Sequence, residues 1–575
     1  MAGTRGAAAT APVVIVEIEH KYDVPDDFDL DGLSAGLLEL PGVAGVSPAR
    51  VLELEAGYFD TADLRLLAAR RTLRRRVGGV DDGWHLKEPG KGAGRRETLL
   101  PLGRSARVVP ARLRRAVAVY TRGLPLLPVA RLFTERTVVV LTQDDGAPIA
   151  EVMLDRVRAL ALDENADEHE IVWQELEVEL APLPGEEEPV LSQPLHDRVL
   201  AAGAVPSASV SKLARALAGT GRRPTGRGAG AGAGTGDGAG DGLGGDHGLA
   251  VRTTLEYLRN ETRHLISADP GARADVPDAV HQMRVACRRL RSALAVYRPM
   301  FAEGATVRLR AELRWLATEL GPVRDLEVIR EELLTDLSRE PARMRPGPIR
   351  TRVRRELTTR YRAAHDEAIT ELDSARYFRL LDTLETFVEA PPLAPGAERL
   401  GRKFLIKRVN RAWRRMRRFH DELLAIDAPA GQPAPGDDAV VGENATGETV
   451  TGETVATERP RLRARDEVMH DIRKAAKRAR YAGESVNPVF GDDARTFSSA
   501  MSRIQTVLGD HQDSVVLRAE LLDLAAVARA AGEDTFGYGR LHALQQARAE
   551  RTDADFEKAW EALAGLTPFR PQPPP

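Results

Sequence analysis

Between Val13 and Leu217 apolar and polar positions alternate in short runs set off by Gly, Pro and Asp. This is the period-two pattern of half-buried strands. Eight runs carry it: Val13–Tyr22, Val51–Asp60, Thr72–Val77, Trp84–Glu88, Arg95–Leu100, Arg131–Leu141, Ala150–Leu160 and Ile171–Leu180. Helical spacing intervenes at Asp31–Leu40 and Pro110–Arg122 and returns after Ser192. Mainly antiparallel strands in one compact unit predict a closed barrel or a sandwich. From Leu249 the period lengthens to that of amphipathic helices, with breaks predicted at Pro270, Pro299, Pro346, Pro391 and Pro488. The second half is therefore expected to be all helical, and the whole chain a multidomain α+β protein.

Low-complexity stretches separate these parts. Residues 218–248 are mostly Gly, Ala, Asp and Thr, a flexible linker. Residues 428–461 read as a disordered insertion, 1–12 as a disordered leader without the apolar core of a signal peptide, and 567–575 as a tail. The helical region, 249–566, repeats itself. His281-Gln-Met-Arg284-Val-Ala-Cys-Arg288-Arg289-Leu-Arg291 returns as His470-Asp-Ile-Arg473-Lys474-Ala-Ala-Lys477-Arg478-Ala-Arg480. Pro299-Met-Phe301 returns as Pro488-Val-Phe490, and Leu320-Gly321-Pro-Val-Arg324-Asp325 as Leu508-Gly509-Asp-His511-Gln512-Asp513. Order and gaps are kept, which predicts two copies of one helix bundle about a pseudo-twofold axis.

Composition narrows the chemistry. At 575 residues two or more domains are expected, and Lys plus Arg (82) nearly balance Asp plus Glu (85), so the chain is no polycation and the local placement of charge matters. A single cysteine, Cys287, excludes internal disulfides and fits a reducing cytoplasm. No run is long enough to span a bilayer.

The placement is uneven. In Glu17-Ile18-Glu19-His20-Lys21, alternation puts Glu17, Glu19 and Lys21 on one strand face. Alone, this reads as a solvated edge strand. Arg74 and Arg76 likewise share a face, as do Glu175, Glu177 and Glu179. His20 and His85 are expected to pack away from these faces, and Gly90–Gly94 to form a hairpin turn rather than a P-loop. In the repeated helix His281, Arg284, Arg288 and Arg291 fall on one face, as do His470, Arg473, Lys477 and Arg480, while Met283, Cys287, Leu290 and Leu294 supply an apolar face for packing. Lys403, Lys407, Arg411, Arg414 and Arg418 add a third basic stripe. Such rows suit phosphate oxygens. Aromatics for stacking bases are few, chiefly Trp413 and Tyr481, which makes a polyanion without bases the expected partner and nucleic acid the disfavoured one.

The repeated His-x-x-Arg helices resemble the CHAD domain, a conserved histidine α-helical domain of two four-helix bundles whose members bind inorganic polyphosphate. That resemblance implies polyphosphate contacts by His281, Arg284, Arg288, Arg291, His470, Arg473, Lys477 and Arg480. The first half resembles the CYTH family of triphosphate tunnel metalloenzymes, through Glu-x-Glu-x-Lys followed in order by Tyr58-Phe59-Asp60-Thr61, Leu73–Arg76, Trp84–Lys87, Arg95-Arg96-Glu97, Arg136, Asp155, Glu175–Glu179 and Ser211-Lys212. It implies an eight-stranded antiparallel barrel tunnel. Glu17, Glu19, Asp155, Glu175 and Glu177 would hold Mg²⁺ or Mn²⁺; Lys21, Arg74, Arg76, Lys87, Arg136 and Lys212 would bind phosphates; and Glu17, Glu19 and Lys21 would form the catalytic strand. The implied activity is a metal-dependent triphosphatase, hydrolysing inorganic triphosphate to diphosphate and phosphate beside a polyphosphate-binding module, in the cytoplasm and associated with polyphosphate granules. Thiamine triphosphate, a nucleoside triphosphate, ATP cyclisation and a non-catalytic granule-targeting role remain as alternatives.

Overall fold

The structure, a computed structural model, describes residues 13–79, 81–90, 94–103, 105–162, 167–180, 192–224, 248–427, 454–563 and 569, without the side chains of 13–18, 192, 454–464 and 553. The leader, most of the linker, most of the 428–461 interval and all of the tail but Phe569 lie outside the described residues. The chain divides into two compact units, 1–237 and 238–575.

The first unit runs β1 (Val13–Asp23), α1 (Leu30–Leu37), β2 (Gly45–Val46), β3 (Arg50–Asp60), α2 (Arg65–Ala68), β4 (Thr72–Val77), β5 (Gly83–Pro89), β6 (Arg95–Leu100), α3 (Ala111–Thr121), β7 (Leu127–Thr142), β8 (Pro148–Leu162), β9 (Glu168–Leu180), α4 (Ser192–Ala201), β10 (Val205–Pro206) and α5 (Lys212–Ala218). Each of the eight predicted runs is a strand. The antiparallel sheet nonetheless has ten strands, because the two-residue β2 and β10, too short to show a period, pair with β7 and β1. Along the sheet the order is β1–β6–β5–β4–β3–β7–β8–β9; β1 meets β6 through Val13–Glu17 and β9 through Ile18–Asp23. The hairpin joining β7 to β8 turns at Gly146, whose φ of +80° suits only a residue without a side chain.

Alternation sorts the two faces. Val152, Leu154, Leu176 and Val178 pack under α1 and α4 with Tyr22, Leu33, Leu37, Leu195 and Val199. Leu73, Trp84 and Leu86 pack with Phe59 against Leu113 and Val117 of α3. Val157, Ala159 and Trp173 pack against Leu213 and Leu217 of α5. Each fully buried Leu, Val or Phe contributes about 1.5–3 kcal/mol. With one face so committed, the other is free to be polar.

The second unit contains α6 (Leu249–Arg273), α7 (Ala279–Val296), α8 (Val307–Glu319), α9 (Gly321–Arg339), α10 (Ile349–Leu372), α11 (Ala375–Glu389), α12 (Arg402–Asp427), α13 (Thr454–Glu484), α14 (Asn487–Ala530) and α15 (Phe536–Glu561). Consecutive helices pack on one another from α6 to α8 and from α12 to α15. Pro270 does not break α6 as expected. It sits in the last turn, so that the helix runs only as far as Arg273 beyond it, and Asp269 beside it is fully buried, accepting from Arg273 Nε (2.7 Å) and the Tyr377 hydroxyl (2.9 Å). The repeat also diverges at its end. Leu320-Gly321 separates α8 from α9, where Pro322 lacks an N–H, whereas Leu508-Gly509 lies inside the unbroken part of α14 that follows its kink at Gly491. Helix α13 begins at Thr454, inside the interval read as an insertion. No described helix is long and apolar enough to cross a membrane.

Candidate functional site

The polar face of the sheet surrounds a cavity of about 250 Å³. Strand register builds its acidic side in rows across β1, β9 and β8. Glu19 stands opposite Glu179, which stands opposite Glu151; Lys21 opposes Glu177; and Asp23 opposes Glu175, which opposes Asp155 and then Arg136 of β7. Arg74 and Arg76 of β4, Lys87 of β5 and Arg136 line the same cavity.

Asp155, Glu175 and Glu177 are buried, and one oxygen of each lies within 4.8 Å of the others, close enough to share a metal ion. Arg136, Lys212 and, on Glu177, Lys21 neutralise them in this state. Arg136 forks onto both oxygens of Asp155 (2.8 and 2.6 Å) and reaches Glu177 at 2.5 Å. Lys212, the first residue of α5 after the N-cap Ser211, brings Nζ to 2.9 Å from Asp155, 2.6 Å from Glu175 and 2.5 Å from Glu177. The contact with Glu175 Oε1 is an ion pair without hydrogen-bond geometry, so this buried oxygen keeps lone pairs to offer. Trp173 Nε1 donates to the other oxygen of Glu175 at 2.6 Å and orients the carboxylate. Three buried carboxylates, one with an unshared oxygen, fit a hard divalent cation. Burial alone would raise both groups, yet Lys21, Lys212 and Arg136 hold Glu177 well below the usual carboxylate range, and Lys212 and Arg136 lower Asp155.

On the opposite wall positive charges crowd. Burial, then Arg74 and Arg136, push Arg76 down to about 9 against the pull of Glu97 and Tyr58; it also pairs with Asp81. Arg74 and Arg136 move the other way, raised against burial by Tyr58 and Glu97 and by Asp155 and Glu177, so Arg76 is the one of the three whose charge is least relieved. Glu179 is pushed the other way, raised by burial and by Glu19, Glu151 and Glu177 against the pull of Lys87.

Of the residues named from the sequence, Glu19, Lys21, Arg74, Arg76, Lys87, Arg136, Glu177 and Lys212 line this cavity, and Asp155 and Glu175 belong to the acidic triad beside it. Glu17 is in β1 by its backbone; its side chain lies outside the described residues. Lys212 bonds the acids rather than standing with the arginines. His85 was expected to face away, but it lies two residues from Lys87 and so shares its face; its buried ring meets Glu97. Glu151 was missed although it precedes Asp155 by an even number of positions, a signal visible in the alternation.

In the second unit the two copies of the basic helix, α7 and α13, pack together. Gly321 lets Arg284 Nη1 donate to its carbonyl at 2.5 Å; a Cβ there would lie 3.2 Å from that nitrogen. A Cβ on Gly509 would likewise lie 3.2 Å from Arg473 Nη2. Burial, then Arg288 and Arg473, push Lys477 down to about 8. Arg291 is lowered by burial and by Arg314 and Arg310, Arg478 by burial and by Arg415 and Arg310. His281 and His470 are lowered as well, by burial before their basic neighbours. The Nε atoms of Arg288 and Arg473 are buried with no hydrogen-bond partner among the described residues. Arg480 is drawn aside into an ion pair with Glu484 (2.7 Å). The stripe of Lys403, Lys407, Arg411, Arg414 and Arg418 is exposed along α12, and it is Arg415 that approaches the cluster.

Residues 16–194 match the CYTH domain family and residues 256–522 the CHAD domain family. Two uncharacterised proteins of Mycobacterium tuberculosis, from strains CDC 1551 / Oshkosh and H37Rv, are each 33% identical over 566 residues, spanning 96% of this chain and 98% of theirs. The CHAD domain from the plant Ricinus communis is 25% identical, covers 59% of this chain and 100% of its own, and superposes with a TM-score of 0.40. With both domains matched and relatives aligned over nearly their whole length, the chain belongs to the family of proteins that join an N-terminal CYTH domain to a C-terminal CHAD domain.

Proposed function

We propose that the first unit is a metal-dependent triphosphatase that hydrolyses inorganic triphosphate to diphosphate and phosphate. The observation carrying this reading is that a wall of crowded cations and a wall of carboxylates share one cavity. Because β1 pairs with both β6 and β9, we read the eight long strands as a tunnel wall around it. Lys21, Arg74, Arg76, Lys87 and Arg136 would grip the phosphoryl oxygens, with Lys212 free to join them once the acids are neutralised otherwise. Asp155, Glu175 and Glu177, with Glu17 and Glu19, would hold Mg²⁺ or Mn²⁺, which when bound supplies charge neutralisation and an activated water. Arg136 orients Asp155 through its fork, and Trp173 orients Glu175. The arginine wall takes up charge as the bond to the diphosphate leaving group breaks. Phosphate release from inorganic triphosphate, ATP and thiamine triphosphate, with Mg²⁺ or Mn²⁺, tests the reading. Wild type should turn over the first best, and Glu177→Gln should lose at least ~100-fold. No metal-dependent turnover of any of the three would refute it, whereas preference for ATP or thiamine triphosphate would overturn only the substrate.

We further propose that the second unit binds inorganic polyphosphate on the joined faces of α7 and α13, through His281, Arg284, Arg288, Arg291, His470, Arg473 and Lys477. The depressed Lys477 and the unpaired Arg288 and Arg473 Nε atoms support an anion there. Long chains held on the same polypeptide would raise the local concentration of phosphate ends. Retention of the full chain on immobilised polyphosphate should be lost in Arg284→Glu/Arg473→Glu. Equal competition by duplex DNA of the same charge would reduce the site to a general polyanion surface.

A further inference from the structure

Arg76 closes the charged face of β4, and the carboxylate of Asp81 pairs with it. Asp81 belongs to the connection between β4 and β5, which is anchored on both sides. Gly78 turns with a φ of +91° so close to β3 that a Cβ there would collide with the Glu53 carbonyl. On the β5 side the buried His85 sets Nε2 2.9 Å from the main-chain oxygen of Asp81. A carbonyl oxygen only accepts, so Nε2 donates and the backbone of the acid is fixed. The Asp81 side chain is left to face Arg76.

Register puts this pair at one end of the cavity. Arg76 opposes Ala56 of β3 and Gly83, the first residue of β5. From Ala56, β3 runs back to Arg50, which opposes Val138 near the end of β7; Glu151 near the start of β8 opposes Glu179 near the end of β9. Arg50, Glu151 and Glu179 line the cavity at this end. At the other end β10 pairs with Tyr22 and Asp23 and leads into α5, which carries Lys212 into the acids. Exposure agrees with that order, since the side chain of Lys212 is 9% exposed and that of Asp81 35%. Lys212 therefore stops one end, and Asp81 stands at the mouth.

A chain of phosphates held by Arg136 and Arg74 runs outward to Arg76. Its outermost phosphate can take Arg76 from Asp81, because a guanidinium forks onto phosphate as it does onto a carboxylate. A further phosphate would lie against the displaced carboxylate. We propose that Asp81 is a specificity-determining residue, whose charge at the mouth admits a chain that ends at Arg76 and rejects one that continues past it. The ligand class is a short, terminated phosphate chain, three phosphates rather than four or more. The inference rests on the reading of the cavity as a triphosphate site. Two like charges within about 7 Å in a partly exposed site weaken binding by about tenfold.

The test compares inorganic triphosphate with inorganic tetraphosphate in calorimetric titrations of the full chain without metal. Arg284→Glu/Arg473→Glu is present throughout, so that the helical unit contributes no phosphate binding. Asp81→Asn, the same shape without the charge, should gain about tenfold more affinity for tetraphosphate than for triphosphate. Asp81→Glu keeps the charge and should keep the ratio of the two affinities found with Asp81 in place. A ratio unchanged in Asp81→Asn would overturn the proposal. So would a ratio that shifts as far in Asp81→Glu as in Asp81→Asn, since the residue would then act by shape and not by charge. Failure of the triphosphatase reading would look different: both ligands would bind and the ratio would shift, yet no variant would release phosphate once Mg²⁺ or Mn²⁺ was added. Binding of neither ligand to any variant would overturn both.

Discussion

Replacing Lys212 by methionine keeps the side chain's length and removes its charge from the centre of the acidic triad. In the present state Nζ lies 2.5–2.9 Å from three buried carboxylates. Asp155 and Glu177 would retain Arg136, but Glu175 would be left with the Trp173 N–H and Arg215 at 3.9 Å. Stripping one partner from a buried ionic cluster costs about 3–5 kcal/mol, so in EDTA the variant's first unit should unfold at markedly lower urea. A divalent cation replaces the missing charge. At 100 times its dissociation constant it returns about 2.7 kcal/mol, so Mn²⁺ should recover most of the loss. Metal entering the wild type must first release Lys212 from charge-assisted contacts worth roughly 1.5–3 kcal/mol each, most of which the lysine regains elsewhere. Mn²⁺ should therefore bind Lys212→Met at least about tenfold more tightly than wild type in calorimetric titrations without phosphate. Equal or weaker binding, together with unchanged stability in EDTA, would show that Lys212 does not occupy the cation position.

Three further outcomes are expected. The ammonium of Lys477, pushed down to about 8 by burial and by Arg288 and Arg473, is more acidic folded than unfolded; its contribution makes stability rise with pH between about 8 and the ordinary lysine range. An anion reverses the shift, so polyphosphate binding should take up a proton and weaken from pH 7.5 to 9.5, a slope that Lys477→Arg should flatten in calorimetry across buffers. Gly509→Ala, whose Cβ would press on Arg473 at 3.2 Å, should cost about 1 kcal/mol or more and release polyphosphate at lower salt, while Gly539→Ala, with nothing within 4 Å, should be neutral or stabilising. Asp60 is pushed up to about 6 by burial, against backbone hydrogen bonds from Leu66, Leu67 and Thr61. The folded chain holds its proton more tightly than the unfolded one, so stability should fall as pH rises from about 4 to 6, and Asp60→Asn should remove that slope from urea titrations.

What the sequence made legible was periodicity and parity. All eight long strands were readable because one face of each is apolar, and the even spacing of Glu175 from Glu177 and of Arg74 from Arg76 put the charged groups together before any register was known. Pairing was not legible: that Glu19, Glu179 and Glu151 form one row depends on which strands neighbour β9, and its even spacing from Asp155 placed Glu151 on the same face but not in that row. The position of Lys212 was hidden too, since α5 reaches the triad from a distant part of the chain. His85 stands an even number of positions from Lys87, so alternation by itself sets both on one face. In the second half the basic repeat exposed the anion face, but the use of Gly321 and Gly509 as clearance for an arginine appears only when helices are set side by side.

Phe569 packs into the helical unit although its neighbourhood reads as a tail in the sequence. Its ring meets Phe490 and Phe497 edge-on at 5.4 and 5.7 Å, and its main-chain oxygen accepts from the buried Asn410 at 3.0 Å. Proline-rich flanks make the surrounding stretch look like an expendable end. A protease that clipped the chain just before this ring would uncork the helical unit, wetting two phenylalanines and stranding an amide. Losing Phe569 would thus loosen the helical unit without touching a basic residue.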